Sequence, residues 1–265
     1  MMELHNIEFE RRDGVGILTL NRPEVLNSIS REMQDEIRAV LAEVDNSPEC
    51  RALVITGAGR GFSAGADLSK IDMTPDEGLL DRIDPGKLLS EAYNPTVRLL
   101  DKLRVPTIAA VNGVAAGAGA SLALQCDMII AHSKASFIQS FAKIGMIPDA
   151  GASWTLVNKI GYARAMGLCM TGMRLDAAKA KEWGLVWEVS DTCLEDAIAL
   201  ASELAVMPTL ALVALRKLLS LGCHQDIHQQ LDIETRTQSE LGKSPDFIEG
   251  VTAFMEKRPA VFTGR

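Results

Sequence analysis

The chain has 265 residues, 47% hydrophobic and 23% charged, which suggests one large domain or two small ones, with a substantial core and no wholesale disorder. A formal net charge of -8 argues against general binding to nucleic acid or an anionic membrane, so an anionic ligand must meet a local positive site. The 5 cysteines (Cys50, Cys126, Cys169, Cys193, Cys223) are scattered without a C-x-x-C pair, which excludes a disulfide scaffold or zinc ribbon and points to a reducing compartment.

Met1-Met2-Glu3-Leu4-His5 carries an early acid and no apolar core, so no secretory signal is expected and a cytoplasmic location is. Ile7–Arg12 and Val15–Leu20 flank Asp13-Gly14 and predict a β-hairpin. Ser30 reads as the N-cap of a helix to about Asp45. Its apolar residues Met33, Ile37, Val40, Leu41 and Val44 repeat at helical spacing, with Arg31, Glu32, Asp35 and Glu36 expected to face water. Ala52–Thr56 is a buried strand, residues 70–92 a mobile loop, and Asn94–Leu103 a helix stopped before Pro106. The uncharged stretch from Pro106 to Cys126 is long enough to span a membrane, but its glycines, alanines, Asn112, Ser121 and Gln125 fit a buried strand (Thr107–Val111) and an Ala-rich helix (Ala118–Cys126) better. Met128–Ala131 is the next strand. From Ser153 the pattern turns helical, with only Val186–Val189 strand-like, and Ser244-Pro245 opens the last helix, whose one face carries Phe247, Val251, Phe254 and Met255. The expected class is α/β: a mainly parallel sheet covered by helices over residues 1–190, and a helical region over 191–265.

Several familiar chemistries are absent or incomplete. Gly57-Ala58-Gly59-Arg60-Gly61 follows a strand, but its spacing is not that of a dinucleotide loop, and no P-loop exists. His224 and His228 stand four apart, yet the glutamate of H-E-x-x-H is missing and no third metal ligand is evident; a solvated helix face explains them. The G-x-S-x-G turn of a hydrolase is absent as well. Two small-residue segments remain, Gly61–Leu68 and Asn112–Ala120, both after strands, where parallel α/β sheets place ligands. Close helix packing would explain either alone. Together they suggest two peptide N–H donors converging on one oxygen, an oxyanion hole.

The motifs Phe62-Ser63-Ala64-Gly65-Ala66-Asp67-Leu68 and Val111-Asn112-Gly113-Val114-Ala115-Ala116-Gly117-Ala118-Gly119 resemble the crotonase (enoyl-CoA hydratase/isomerase) superfamily, and Asn21-Arg22-Pro23-Glu24 and Glu256-Lys257-Arg258 match its two ends. Tyr93-Asn94-Pro95, Ile147-Pro148-Asp149, Ala163-Arg164-Ala165-Met166-Gly167-Leu168 and Phe262-Thr263-Gly264 are similar to its ring-1,2-epoxyphenylacetyl-CoA isomerase branch, of phenylacetate degradation. The resemblance implies a spiral of ββα units with a helical C-terminal trimerisation region, homotrimers or homohexamers, an acyl-CoA substrate, and neither cofactor nor metal. It also implies oxyanion amides at Ala66 and Ala118, a CoA-contacting loop over Ala64, Ala66, Asp67, Leu68 and Ser69, and Arg22 and Lys257 as the local cations, Lys257 in its own or a neighbouring subunit.

At the positions matching the two hydratase glutamates this chain has Ser121 and Phe141, neither able to move a proton at neutral pH. What remains is Asp149. Read alone, it would cap a helix over residues 150–160; the resemblance implies an acid/base. The expectation is an acyl-CoA isomerase working through a stabilised enolate and converting ring-1,2-epoxyphenylacetyl-CoA to oxepin-CoA. The alternatives are a Δ3,Δ2-enoyl-CoA isomerase of aliphatic chains and a non-catalytic CoA-ester-binding partner subunit.

Overall fold

The hairpin forms as its turn residues require. In the computed structural model, which describes residues 3–70, 74, 76, 79 and 84–265, β1 (Ile7–Arg12) and β2 (Val15–Leu20) pair antiparallel from Ile7–Leu20 to Arg12–Val15. Asp13 (φ 47) and Gly14 (φ 84) supply the two left-handed residues of a tight hairpin turn. β3 (Ala52–Gly57), β5 (Thr107–Val111), β7 (Met128–Ala131) and β10 (Glu188–Val189) extend the sheet in the order β1-β2-β3-β5-β7-β10, parallel from β2 onward.

Period-two alternation sorts this sheet into two packed faces. Leu18, Leu20, Leu53 and Ile55 join Met33, Ile37, Val40, Leu41 and Val44 of α1 (Arg31–Asn46). Val15, Ile17, Ala52, Val54, Ile108 and Ala110 face the other way, against Ala197, Ala201 and Ala205. Those alanines stand four apart and let the helix Cys193–Ala205 lie close to the strands.

A second sheet, in the order β4-β6-β8-β9, fits the ββα spiral that the resemblance implies but lies outside what the residue pattern alone reveals: β4 (Gly61–Ser63), β6 (Val114–Ala116) and β8 (Ser136–Ile138) run parallel, and β9 (Arg174–Asp176) closes the edge antiparallel. Each of the first three follows a long strand after a short connector, so strand, short strand and helix recur as a ββα unit. Three residues are too few for periodicity to declare a strand. β9 likewise lies in a stretch read as wholly helical.

Two further expectations are corrected. Glu36 does not face water: it is 3% exposed, and its carboxylate accepts from His5 N, Asn6 N and Asn6 Nδ2, tying the entry of β1 to α1. Residues 84–92 are helical, not loop. Asp84 caps α2 (Pro85–Leu88) by accepting from Gly86 N and Lys87 N, and a π-helical turn (Leu89–Tyr93) leads into α3 (Asn94–Lys102). Of the remaining loop positions, 71–73, 75, 77, 78 and 80–83 lie outside the described residues.

α4 (Ala118–Leu124), α5 (Ala152–Ile160), α6 (Tyr162–Thr171) and α7 (Ala177–Glu182) complete the middle of the chain, and α8 is the Cys193–Ala205 helix. Beyond it come α9 (Thr209–Gly222), α10 (Ile227–Leu241) and α11 (Pro245–Glu256). Arg216 of α9 clamps Asp127 through two 2.6 Å bonds and donates to Leu103 O and Val105 O. Ser244 caps α11 through Phe247 N, with Pro245 at the first helical position. Phe247, Val251, Phe254 and Met255 are exposed on this single chain. His224 precedes α10 and stacks at 5.4 Å from Trp154, so it and His228 do not share a helix face. Among the described residues, no single helix is long and apolar enough to cross a membrane.

Replacing Glu36 by leucine leaves the His5 and Asn6 amides without their acceptor. The expected cost is about 1–2 kcal/mol, read as a lower midpoint of urea unfolding; an unchanged midpoint would show that the carboxylate anchors nothing.

Candidate active site

The site begins where β4 runs out. Ile29 pairs with the following loop as a parallel bridge: Ile29 N donates to Gly65 O at 2.7 Å and Asp67 N donates to Ile29 O at 3.0 Å. In a parallel bridge the intervening residue turns its amide away from the partner strand. Ala66 N is therefore aimed away from Ile29 and donates to no described residue. Across from it, Gly117 (φ 50) turns β6 into α4, and Ala118 is the first helical residue, whose N–H has no acceptor within the helix. Ala118 is 3% exposed.

The two segments touch through their backbones. A Cβ on Gly65 (φ 99) would lie 2.7 Å from Ala116 O and 3.4 Å from Ala118 N, and one on Gly119 would lie 2.5 Å from Ser63 Cβ and Oγ. Nothing larger than hydrogen fits at either place. Ser63 Oγ holds the turn by donating to Asn27 O and accepting from Gly65 N. The structure thus brings the Ala66 loop and the Ala118 helix end together.

The predicted CoA loop is built but internally satisfied. Ala64 is exposed, with its amide on Leu26 O; Leu68 opens a 3-10 turn (Leu68–Lys70) and is exposed, as is Ser69. Asp67 accepts from Ser69 Oγ and N, and from Arg22 Nη1 at 2.8 Å. The Ser69 hydroxyl first, and then Arg22, hold its carboxyl below the ordinary range against the opposing effect of burial. Arg22 also donates to Ser28 O, so it is not a free cation. Lys257 is not part of this cluster. It ends α11 in a left-handed conformation (φ 54), exposed, and among the described residues no hydrogen bond or ion pair joins it to the loop.

Asp149 is not a helix cap. α5 starts at Ala152 after Gly151, with no side chain on its first amides, because Ala150 (φ 47) and Gly151 (φ 82) insert a left-handed turn after the aspartate. Its Oδ1 is buried without a hydrogen-bond partner, and burial pushes the carboxyl up to about 6. Beside it lies the buried Tyr93, whose hydroxyl donates to Ile29 O at 3.1 Å. Burial raises that phenol, and the charges of Asp149 and Asp67 raise it further. Tyr93 is therefore anchored to Ile29, the residue that bridges to Ala66. The sequence reading quoted Tyr93 only within a motif; the π-helical turn that aims it inward has no sequence period of its own.

Phe141 opens a 3-10 turn (Phe141–Ile144) with its ring against Gly117, where a Cβ would lie 3.6 Å from Cζ. Ser121 Oγ donates to Gly117 O and is fully buried. Neither supplies a carboxylate to the oxyanion segments. Ala66 N and Ala118 N are thus two donors without a described acceptor on segments that meet, and Asp149 is a buried carboxyl with an unpartnered oxygen.

Known proteins resemble the chain along nearly its whole length. The family described as enoyl-CoA hydratase/isomerase matches over residues 10–265. The 1,2-epoxyphenylacetyl-CoA isomerase of Escherichia coli (strain K12) is 45% identical over 254 residues, covering 95% of this chain and 96% of that protein. A protein named "Probable enoyl-CoA hydratase" from Rhodobacter capsulatus is 42% identical over 266 residues, covering 100% of both. Among solved structures, the enoyl-CoA hydratase of Bacillus anthracis superposes with a TM-score of 0.90 at 32% identity, covering 98% of this chain and 100% of that one.

The unpartnered carboxyl has a consequence for stability. A folded-state value of about 6 against 3.8 means that the native protein keeps this proton longer than the unfolded chain. Stability linked to Asp149 is therefore complete below pH 4 and is lost as pH rises through 4–6. A tenfold change in proton affinity is worth about 1.4 kcal/mol, so the loss is at most about 3 kcal/mol. Asp149→Asn is expected to melt higher than the parent above pH 6 and no higher below pH 4. Equal melting temperatures at both ends would show that the carboxyl is solvated.

Proposed function

The chain belongs to the enoyl-CoA hydratase/isomerase family, and from that premise we propose that it is an acyl-CoA isomerase, not a hydratase. The observation that carries this is the side-chain set at the oxyanion segments: Ser121 and Phe141 stand where the resemblance puts two glutamates, and Asp149 is a buried carboxyl with a free oxygen.

In this reading the thioester oxygen accepts from Ala66 N and Ala118 N. Both amides lack a described protein acceptor, so they meet a developing enolate without first breaking another bond. An oxyanion donor of this kind is worth roughly 10²–10³ in rate. Asp149, near 6, is mostly ionised at neutral pH and basic enough to take a proton from carbon, and as its conjugate acid it can return it elsewhere. The apolar ring of Phe141 offers no second base to activate water.

The Escherichia coli relative supports ring-1,2-epoxyphenylacetyl-CoA as the substrate, rearranged to oxepin-CoA with no atoms gained or lost. The exposed apolar side chains of α11, above all Phe254 and Met255, support assembly into homotrimers or homohexamers. A 3-enoyl-CoA of aliphatic type is the substrate to compare, since the same groups could shift its double bond.

Asp149→Asn is expected to lower turnover by at least about a thousandfold, the upper part of the range for a lost acid/base, while acyl-CoA affinity stays within a fewfold. In the parent, kcat/KM should rise about tenfold per pH unit below 6 and level off above it, because the base must be ionised. Turnover persisting in the variant would remove Asp149 from the mechanism.

The purified protein is also expected to show negligible hydration of crotonyl-CoA. Efficient hydration would overturn the isomerase reading and require another residue to activate water.

A further inference from the structure

We propose that Gln125 is the positioning residue that holds Asp149 at its distance from the oxyanion amides, with α4 as the rigid spacer between them. This rests on the isomerase reading for its consequence in turnover, but its geometry stands independently.

Gln125 terminates α4, its backbone amide closing the helix on Ser121 O and Leu122 O. The opposite end of that helix presents Ala118 N. Seven residues at about 1.5 Å rise make a strut of roughly 10 Å, so whatever Gln125 grips is held at a set distance from the oxyanion donor. What it grips is the turn that carries Asp149. Gln125 Nε2 donates to Ala150 O at 3.0 Å and to Thr155 Oγ1 of α5 at 3.2 Å. The side-chain amide also lies flat against Gly151, where a Cβ would be 2.8 Å from Nε2 and 3.2 Å from Cδ.

The turn needs such a clamp. Ala150 is an ordinary L-residue held at φ 47, a conformation that a Cβ disfavours. The aspartate's own Oδ1 has no hydrogen bond that would fix the side chain from its far end. The place of the carboxyl is therefore set by the backbone of residues 149–151, and the contact reaching that backbone from the oxyanion helix is the Gln125 amide. Thr155, itself buried, fixes the amide's orientation by accepting its second proton.

The experiment compares the full-length parent with Gln125→Met, which keeps length and volume but removes both donors. The first readout is the carboxyl 13C titration of Asp149 in the ligand-free protein, assigned by its absence in Asp149→Asn; Tyr93 is the titratable neighbour to follow alongside. Loosening the turn should admit water and move the midpoint down, toward the ordinary carboxylate value. The second is turnover, with kcat expected to fall 10- to 100-fold and KM to stay within threefold. Adding Ala150→Gly to Gln125→Met should restore part of both, because glycine takes the left-handed turn unaided. Should Gln125→Met not fold, Thr155→Val removes the second anchor at constant shape and must move the titration in the same direction by less. The titration needs no substrate, so a protein without isomerase activity leaves the positioning test intact. An Asp149 midpoint unchanged in Gln125→Met, or in Thr155→Val where that variant stands in, would overturn the proposal, whatever the turnover.

Discussion

Backbone lying directly on backbone, at Gly65 against residues 116–118 and at Gly119 against Ser63, is the constraint on which the functional architecture depends. It lets the short second sheet pack under the ends of the long strands and brings the Ala66 loop onto the first turn of α4. The bridge at Ile29 and the start of α4 leave both amides without an acceptor among the described residues. Where such a donor is buried, as at Ala118, leaving it unpaired costs about 1–3 kcal/mol. A fold retains that cost where something else will meet the donor, and an oxygen that gains negative charge meets it best. The β4–β6 pairing, the Ile29 bridge and the buried Phe62 all serve to hold that one contact.

Two aspartates near the site show how the surroundings divide their roles. Asp67 is held by Ser69 and Arg22 and lies below the usual carboxylate range. Among the described residues no cation lowers Asp149, one oxygen is buried without a partner, and the carboxyl lies at about 6. Paired and hydrogen-bonded, the first is a brace for its loop. Isolated, the second stays within reach of proton transfer at neutral pH. Tyr93 feels both charges, with its hydroxyl committed to Ile29 O.

The legible parts of the sequence were those governed by a period or a turn rule. β1, β2, β5 and β7 end where alternation and Asp13-Gly14 put them, and Ser30 and Ser244 cap their helices as expected. The second sheet was hidden because its strands are three residues long and built from the same small side chains as loops. Glu36 sits on the boundary of the polar face of α1, and only the fold shows that the backbone of His5 and Asn6 comes down upon it. An aspartate three residues before a helix looks like a cap until the left-handed Ala150 and Gly151 intervene, and no propensity scale predicts a left-handed alanine. The small-residue segments were legible as two pieces that converge; the atoms on which each glycine packs were not.

The acidic composition poses a last question, which the ion pairs sharpen. A CoA ester brings phosphates, and a chain of net charge -8 must present a cation to them locally. Arg22 is paired with Asp67 and hydrogen-bonded to Ser28 O, so it would have to give up both partners to turn toward a phosphate. Arg258 is taken up by Glu249 and Glu256. Its neighbour Lys257 makes no ion pair among the described residues and ends a helix whose Phe254 and Met255 are bare. Exposed apolar surface of this kind marks an interaction site, which the proposed assembly would cover. If a subunit covers it, Lys257 is carried to a subunit boundary, where a lysine absent from its own chain's site can still serve a neighbour's. On the proposed assembly, one thing would meet both the cation's isolation and the exposed face: a second copy of the chain.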